Sequence, residues 1–254
     1  MTAALPGTAA ALEVIGAVKR FGAVQALDEV SFHVNAGEVL ALLGDNGAGK
    51  STIIKCISGV HRLDEGTIRI DGKTQRLHSP ADARRAGIET VYQDLALFDN
   101  LDASANFYAG REDAGPAWLP RGLQFLNRGQ MDSATRALLD RLKVVLPRFD
   151  APVGLMSGGQ RQAVAVARAA AFARKVVILD EPTAALGLRE TRQVIDLVQR
   201  LRADGKAVIL ITHNMEQVVD VADRAIVMRR GRKVGEARPS ASTRQEIVSM
   251  IVGA

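Results

Sequence analysis

One cysteine, Cys56, stands among 254 residues, so the chain cannot close a disulfide within itself. That fits a reducing compartment, and its place on an apolar helical stretch makes it a small buried hydrophobe rather than a reactive thiol. Aromatic residues make up only 4% of the chain and none interleave with basic ones, which argues against a stacking platform for nucleic acid. No run approaches the roughly 20 apolar residues that a membrane-spanning helix needs. The opening stretch MTAALPGTAAALE has neither a basic flank nor an adequate apolar run, so it is no secretory signal. We expect residues 1–10 to be a loose tail ahead of a single domain, 11–254. Repeats at a solenoid period are absent. Acidic charge is in slight deficit: 28 Asp and Glu face 33 Lys and Arg, a net charge of +5 with histidines neutral. That balance suits an anionic partner: nucleic acid, an anionic membrane surface or a polyanionic nucleotide. The densest basic run, RRGRK at 229–233, lies between two strand-like segments and reads as a solvated hairpin turn.

What is present is an ordinary globular balance, 47% hydrophobic and 24% charged, enough for a substantial core. The early segments EVIGAVKRF, EVSFHVNAGE and GTIRIDG read as β-strands punctuated by glycine. EVLALLG and IETVYQD are further strands, and GKSTIIKCISGV is a helix. From about 94 to 173 the character changes to mostly helical with loops, including a Pro/Gly-containing stretch around AGPAWLPRGL, as expected of an insertion into an α/β frame. The last third alternates strand and helix: KVVILDE, LRETRQVIDLVQRLRADG, KAVILITH, NMEQVVDVAD, a hairpin over RAIVMRRGRKVG and a final helix TRQEIVSMIV. Continuous apolar strands alternating with helices predict a parallel sheet covered on both faces.

The chemistry gathers at strand ends. Gly44, Asp45, Asn46, Gly47, Ala48, Gly49, Lys50 and Ser51 match the phosphate-loop pattern in full, with an apolar strand before and a helix after. Glycines let backbone N–H groups turn toward phosphate oxygens, and the helix N-terminus adds positive potential. Lys50 is expected to bridge the β- and γ-phosphates and Ser51 to ligate Mg2+. VVILDEP delivers two carboxylates at a strand end: Asp180 to hold Mg2+ through its water shell, Glu181 to act as general base on the attacking water. VILITH ends in His213, placed to contact the γ-phosphate and orient that water. Gln93, in VYQD, ends a fourth strand, where a neutral amide can touch both Mg2+ and the water. The other histidines, His33, His61 and His78, have no such placement and read as structural or surface residues.

A second phosphate-holding turn comes a hundred residues later in MSGGQRQAVAVARA. Ser157 is positioned as an N-cap, and Gly158, Gly159 and Gln160 expose backbone N–H groups at a helix start. With no lysine and no nearby acid it can help bind an anion but not run a hydrolysis. The simplest arrangement closes it over nucleotide held by a different subunit.

Taken in order and spacing, GDNGAGKST, VYQD, MSGGQRQAVAVARA, VVILDEPTAAL and ITHNMEQV resemble the ATP-binding subunit of ABC transporters over essentially the whole chain. The resemblance implies an α/β fold: a P-loop NTPase core with a mixed, largely parallel sheet, an N-terminal antiparallel β subdomain and the inserted helical subdomain at about 94–173. It also implies ATP and Mg2+ as cofactors, ATP contacts from residues 44–52 including Thr52, and a second copy paired head to tail. Each site would then take Ser157, Gly158, Gly159 and Gln160 from the other chain. Phe21, 29 residues before Lys50, matches the family's adenine-stacking aromatic; without the family it would read as core. Two departures stand out. Met156 replaces the usual leucine before the serine, a swap of similar volume. The loop after the acidic strand, usually Ser-Ala-Leu-Asp, here reads Ala184, Ala185, Leu186, Gly187 and so lacks its aspartate. QDLALFDNLDASANFYAGRE is similar to the ATPases of bacterial monosaccharide importers of the ribose, xylose and fructose kind. That implies transmembrane permease subunits, indirectly a periplasmic sugar-binding protein, no nucleic acid, and a peripheral place on the cytoplasmic face of the inner membrane. Another solute, export, a soluble ABC ATPase on DNA or ribosomes, and a small-molecule kinase are the competing readings.

Overall fold

A computed structural model describes residues 10–115, 125–184 and 186–253. Residues 1–9 of the expected tail, 116–124 of the Pro/Gly-containing stretch, and Ala185 lie outside the described residues. Ala10, expected to belong to the tail, instead opens the first strand.

Two sheets carry the architecture. The first is antiparallel, with spatial order β2-β1-β4-β5. It is built from β1 (Ala10–Phe21), β2 (Val24–Asn35), β4 (Glu65–Ile70) and β5 (Lys73–Gln75). The short β5 is an addition to the expected strands. It continues from β4 through the two-residue turn Asp71–Gly72, both at positive φ, the geometry that matches strand twist in a tight hairpin. The second sheet is the expected mixed one. Its order is β12-β11-β3-β10-β9-β6. These are β3 (Val39–Leu43), β6 (Ile88–Val91), β9 (Val176–Asp180), β10 (Ala207–Ile211), β11 (Arg224–Arg229) and β12 (Arg232–Ala237). All neighbours are parallel except the β11–β12 hairpin.

Alternate residues of the central strands face opposite layers. Leu40, Leu42, Ile178, Ile209 and Ile211 pack with Ile53, Ile54 and Ile57 of α1 (Lys50–Ile57) and with Leu12, Leu27 and Phe32 of the antiparallel sheet. Val39, Val177, Leu179, Val208 and Leu210 pack instead with Val164 to Ala167 of α5 (Gly158–Phe172) and with Ile195, Val198 and Leu201 of α6 (Leu188–Ala203). A smaller cluster joins Ala41, Leu43 and Val227 to Val218 of α7 (Met215–Val221) and Ile247 of α8 (Arg244–Val252). The two sheets are clamped by Arg224. Its guanidinium donates to Glu38 Oε1 at 2.7 Å, Glu236 Oε1 at 2.8 Å and the His33 carbonyl at 2.6 Å.

The inserted region holds α3 (Ala103–Tyr108), α4 (Arg128–Arg141) and α5, with a small hairpin of β7 (Ala114–Gly115) and β8 (Phe125–Leu126) that the composition gives no sign of. A six-residue helix, α2 (Pro80–Arg85), is also absent from the sequence reading; Ser79 caps it. Asn106, fully buried on α3, organises the loop that leads in from Gln93. Its side-chain oxygen accepts from Phe98 N at 2.8 Å, and its amide donates to the carbonyls of Phe98, Leu101 and Asp102 at 3.0–3.1 Å. Asn106→Ala strands these groups in a dry site and is expected to destabilise the protein by roughly 2–4 kcal/mol, read from urea denaturation.

Candidate functional site

The parallel register brings four strand ends level. Ile211 lies opposite both Leu42 and Asp180, and Val91 opposite Leu179. The residues just beyond these ends therefore share one rim: Gly44 onward after β3, His213 after β10, Asp180 and Glu181 at β9, and Gln93 near β6. The rim is where a doubly covered parallel sheet binds ligands. Gln93 differs slightly from expectation. β6 ends at Val91, so Gln93 stands two residues beyond the strand, exposed in a turn.

Packing forces the shape of the phosphate loop. Gly44 has φ 145°, and a Cβ there would run into the Met228 carbonyl. Gly49, at φ 100°, would put a Cβ 2.8 Å from the Ala26 carbonyl oxygen. Ala48 is buried, while Asp45, Asn46, Gly47 and Ser51 are exposed and Thr52 is half-buried. Lys50 folds back over its own loop and donates to the carbonyls of Gly44 (2.7 Å) and Asp45 (3.0 Å). Behind the loop sits the hairpin turn of the basic run. Gly231, at φ 79°, donates its N–H to the Ala48 carbonyl at 3.0 Å, and its own carbonyl accepts from Asp28 N at 2.8 Å. An Arg232–Asp28 ion pair closes the same contact. The run is a hairpin, as expected, but its glycine braces the phosphate loop. Sequence reading misses that role, because Gly231 and Ala48 are neighbours only in space.

The carboxylates and the lysine feel one another. Burial holds the Lys50 ammonium below its ordinary pKa, against the pull of Glu181, Asp180 and Asp45. Burial, and then the adjacent Glu181 charge, raise the pKa of Asp180, against the pull of Lys50 and Lys55. Glu181 sits at φ 48°, left-handed for a residue with a side chain, with its N–H tied to the Ile211 carbonyl at 2.9 Å. Its Oε1 lies 3.3 Å from Nδ1 of the exposed His213. Beside them is a cavity of about 160 Å3 lined by Glu181, Thr183, Ala184, Thr212, His213, Asn214 and Gln217, room for water. Thr183 and Thr212 both donate to Gln217 Oε1, at 2.7 and 3.4 Å, a buried support that no motif announces. No cluster of three or more His, Cys, Asp or Glu among the described residues can hold a metal. One carboxylate, a serine hydroxyl and an amide suit Mg2+, which takes its remaining ligands from phosphate and water.

The second turn forms as expected and more completely. Ser157 Oγ accepts from Gln160 N at 3.3 Å, and Gln160 Oε1 accepts from Ser157 N at 3.0 Å, a reciprocal capping box. Ser157 and Gly158 are exposed, Gly159 buried and Gln160 half-buried. Yet α1 and α5 pack on opposite faces of the central sheet, so the structure does not bring this turn to its own phosphate loop. Phe21 is 45% exposed, which rules out the core reading. Its ring meets His61 edge to face at 5.2 Å, with Lys19 Nζ 5.4 Å from its centre, so His61 has a placement the sequence does not reveal. Cys56 is inert as expected: it is buried, and burial pushes its thiol up to about 11.

The profile described as "ABC transporter" matches residues 27–184. The chain is 48% identical over 240 residues to a fructose import ATP-binding protein of Rhizobium meliloti, covering 94% of this chain and 92% of that one. It is 46% identical to a xylose/arabinose import ATP-binding protein of Sulfolobus acidocaldarius, covering 94% and 93%. A ribose import ATP-binding protein of Rubrobacter xylanophilus is 44% identical over 95% of this chain but only 47% of its own, longer sequence. Among solved structures, a nucleotide-free ATP-binding cassette from an ABC transporter superposes with a TM-score of 0.79 at 27% identity, covering 96% of both chains. A cassette in its ADP conformation gives 0.78, also at 27% identity, over 96% of this chain and 99% of that one.

The rim generates two expected outcomes. Gly231→Ala strains the turn and pushes a methyl at the Ala26 carbonyl; ATP affinity, read by fluorescent-nucleotide titration, is expected to fall about tenfold. Asp180 carries a raised folded pKa, so its ionisation opposes folding, and stability falls as pH rises through the window above its ordinary value. Asp180→Asn is therefore expected to raise the melting temperature of the nucleotide-free protein at neutral pH, read by differential scanning calorimetry.

Proposed function

This chain belongs to the ABC transporter family as an ATP-binding subunit, and from that premise we propose that two copies pair head to tail to hydrolyse ATP and power monosaccharide import. The observation that carries the pairing is the separation of the phosphate loop and the Ser157 turn by the central sheet. A half-site with Lys50, Ser51, Asp180 and Glu181 but no contact from Ser157 needs a second chain to complete it. In this reading residues 44–52 hold the phosphates through backbone N–H groups and the Lys50 amine, and Phe21 stacks on the base. Ser51, Gln93 and Asp180 would hold Mg2+, which supplies charge neutralisation on the phosphates when bound. Glu181 takes the proton of the attacking water, and His213, steadied through Nδ1 by Glu181, turns Nε2 toward the phosphate. Ser157, Gly158, Gly159 and Gln160 meet the nucleotide held by the other copy with their N–H groups.

The names of the relatives, for fructose, xylose/arabinose and ribose import, support a monosaccharide as the cargo. No helix among the described residues is long and apolar enough to cross a membrane. The relatives' names as import ATP-binding proteins support separate transmembrane permease subunits as partners, holding the ATPase peripherally at the cytoplasmic face of the inner membrane. A periplasmic sugar-binding protein delivers the cargo from outside, and nucleic acid has no part. Closure of the pair on ATP favours one permease conformation over another.

Glu181→Gln removes the base and keeps the shape. With ATP and Mg2+ it is expected to run as a stable dimer in light scattering, with turnover reduced about a hundredfold or more. A variant that stays monomeric and turns over at the wild-type rate refutes the scheme.

A further inference from the structure

The loop after β9 ends in Gly187, where the family pattern carries an aspartate, and the structure holds another carboxylate at that spot. Gly187 has φ −70° and ψ 169°, an extended backbone that any residue adopts, so conformation does not demand glycine there. A Cβ on Gly187 would lie 2.7 Å from Glu190 Oε2, the far end of a flexible side chain, so the glycine leaves that carboxylate where it lies rather than being demanded by the backbone. The same side chain also decides a residue of the Ser157 turn. A Cβ on Gly159 would run into Glu190 Cγ and lie 2.8 Å from its Cβ. Glu190, in the first turn of α6, thus lays its stem along the start of α5 and its carboxylate beside Gly187, bridging two segments whose glycines leave room for it. Leu186 packs on the same corner, its Cδ2 3.7 Å from where a Gly158 Cβ would stand.

Among the described residues no hydrogen bond or ion pair reaches the Glu190 carboxylate, although it is only half-exposed. An acid in the first turn of a helix gains from the helix dipole, but that needs neither the close fit against Gly159 nor the room left at Gly187. The corner it occupies adjoins the turn that faces a second copy. We infer that Glu190 supplies the carboxylate that Gly187 lacks, accepting hydrogen bonds beside the second copy's phosphate loop rather than within its own chain. The inference rests on the head-to-tail pairing above. Glu190 is then a positioning residue: it sets the Ser157 turn and the Gly187 loop for the partner, and it touches no reacting atom.

The test uses the full chain in the Glu181→Gln background, with ATP-induced dimerisation measured by sedimentation velocity and nucleotide affinity measured on dilute monomer. Adding Glu190→Ala, or the near-isosteric Glu190→Gln, is expected to weaken the dimer about tenfold or more, the loss of a charge-assisted hydrogen bond, with monomer ATP affinity unchanged. Adding Gly187→Asp to Glu190→Ala puts a carboxylate back from the loop and is expected to restore dimerisation to within about threefold of the parent. A Glu190→Gln protein that dimerises like the parent makes the side chain a packing element and overturns the inference. A combined variant no better than Glu190→Ala alone overturns it too. Failure of the Glu181→Gln parent itself to dimerise is a different result: it refutes the pairing, and the inference falls with it.

Discussion

Side chains alternate across a β-strand, and in this molecule that alternation decides where each helix behind a glycine-rich turn goes. Even-numbered residues of β3, Leu40 and Leu42, bury α1; odd-numbered Val39 joins the layer of α5 and α6. A helix that begins at a strand-end loop must pack the face its strand presents, and the register of the buried strands β3, β9, β10 and β11 leaves no slack. The consequence reaches function. The helices that follow the two glycine-rich turns pack on opposite faces of one hydrophobic layer, which is what the proposed pairing turns to use.

The rim itself is a compromise between binding and stability. Two adjacent carboxylates and one lysine crowd the ends of β9 and β3, each partly stripped of water, and the shifts of Asp180 and Lys50 run toward their neutral forms. Glu181 adds a left-handed backbone, a strain of about 1–3 kcal/mol that the tie to Ile211 maintains. The surrounding sheet, with β3 and β10 buried along their whole length, supplies the rigidity that lets such a rim persist. Bracing also comes from outside the sheet: the Gly231 turn behind the phosphate loop, and Gln217 collecting the hydroxyls of Thr183 and Thr212.

Much of this is legible because its signals are local. GDNGAGKS, VVILDE and VILITH each write strand, turn and chemical group within a few residues, so fold class, sheet type and rim residues can all be read from short windows. The hairpin over 224–237 and the Ser157 cap are legible for the same reason. The features that escape depend on distant partners. Gly231 lies far along the chain from Ala48, and His61 from Phe21. Glu190, which looks like any acid in a first helical turn, matters only through Gly159 and Gly187. The short β5, β7 and β8 escape because strands of two or three residues carry too little periodicity to see. Gln93 reads as a strand end because VYQD continues the apolar pattern, yet β6 stops once its pairing with β9 ends at Val91.

In the proposed pairing, charge gives the second chain its part: the strand-end rim alone carries more acid than base. Lys50 already shares its field with Asp45, Asp180 and Glu181. A nucleoside triphosphate brings several further negative charges to a rim where Lys50 and the nearby Lys55 face Asp45, Asp180 and Glu181. Backbone N–H groups of the loop and the α1 terminus, equivalent to about half a unit charge, offset part of that. The start of α5 offers a second such terminus, with Ser157 and Gly158 exposed and Glu190, its carboxylate turned toward Gly187, as the acid packed against it. In the proposed pairing this second terminus arrives where phosphate charge is least compensated. Closure is then favoured by the bound nucleotide and disfavoured once the γ-phosphate leaves, which converts a difference of charge at the rim into a difference between two assemblies.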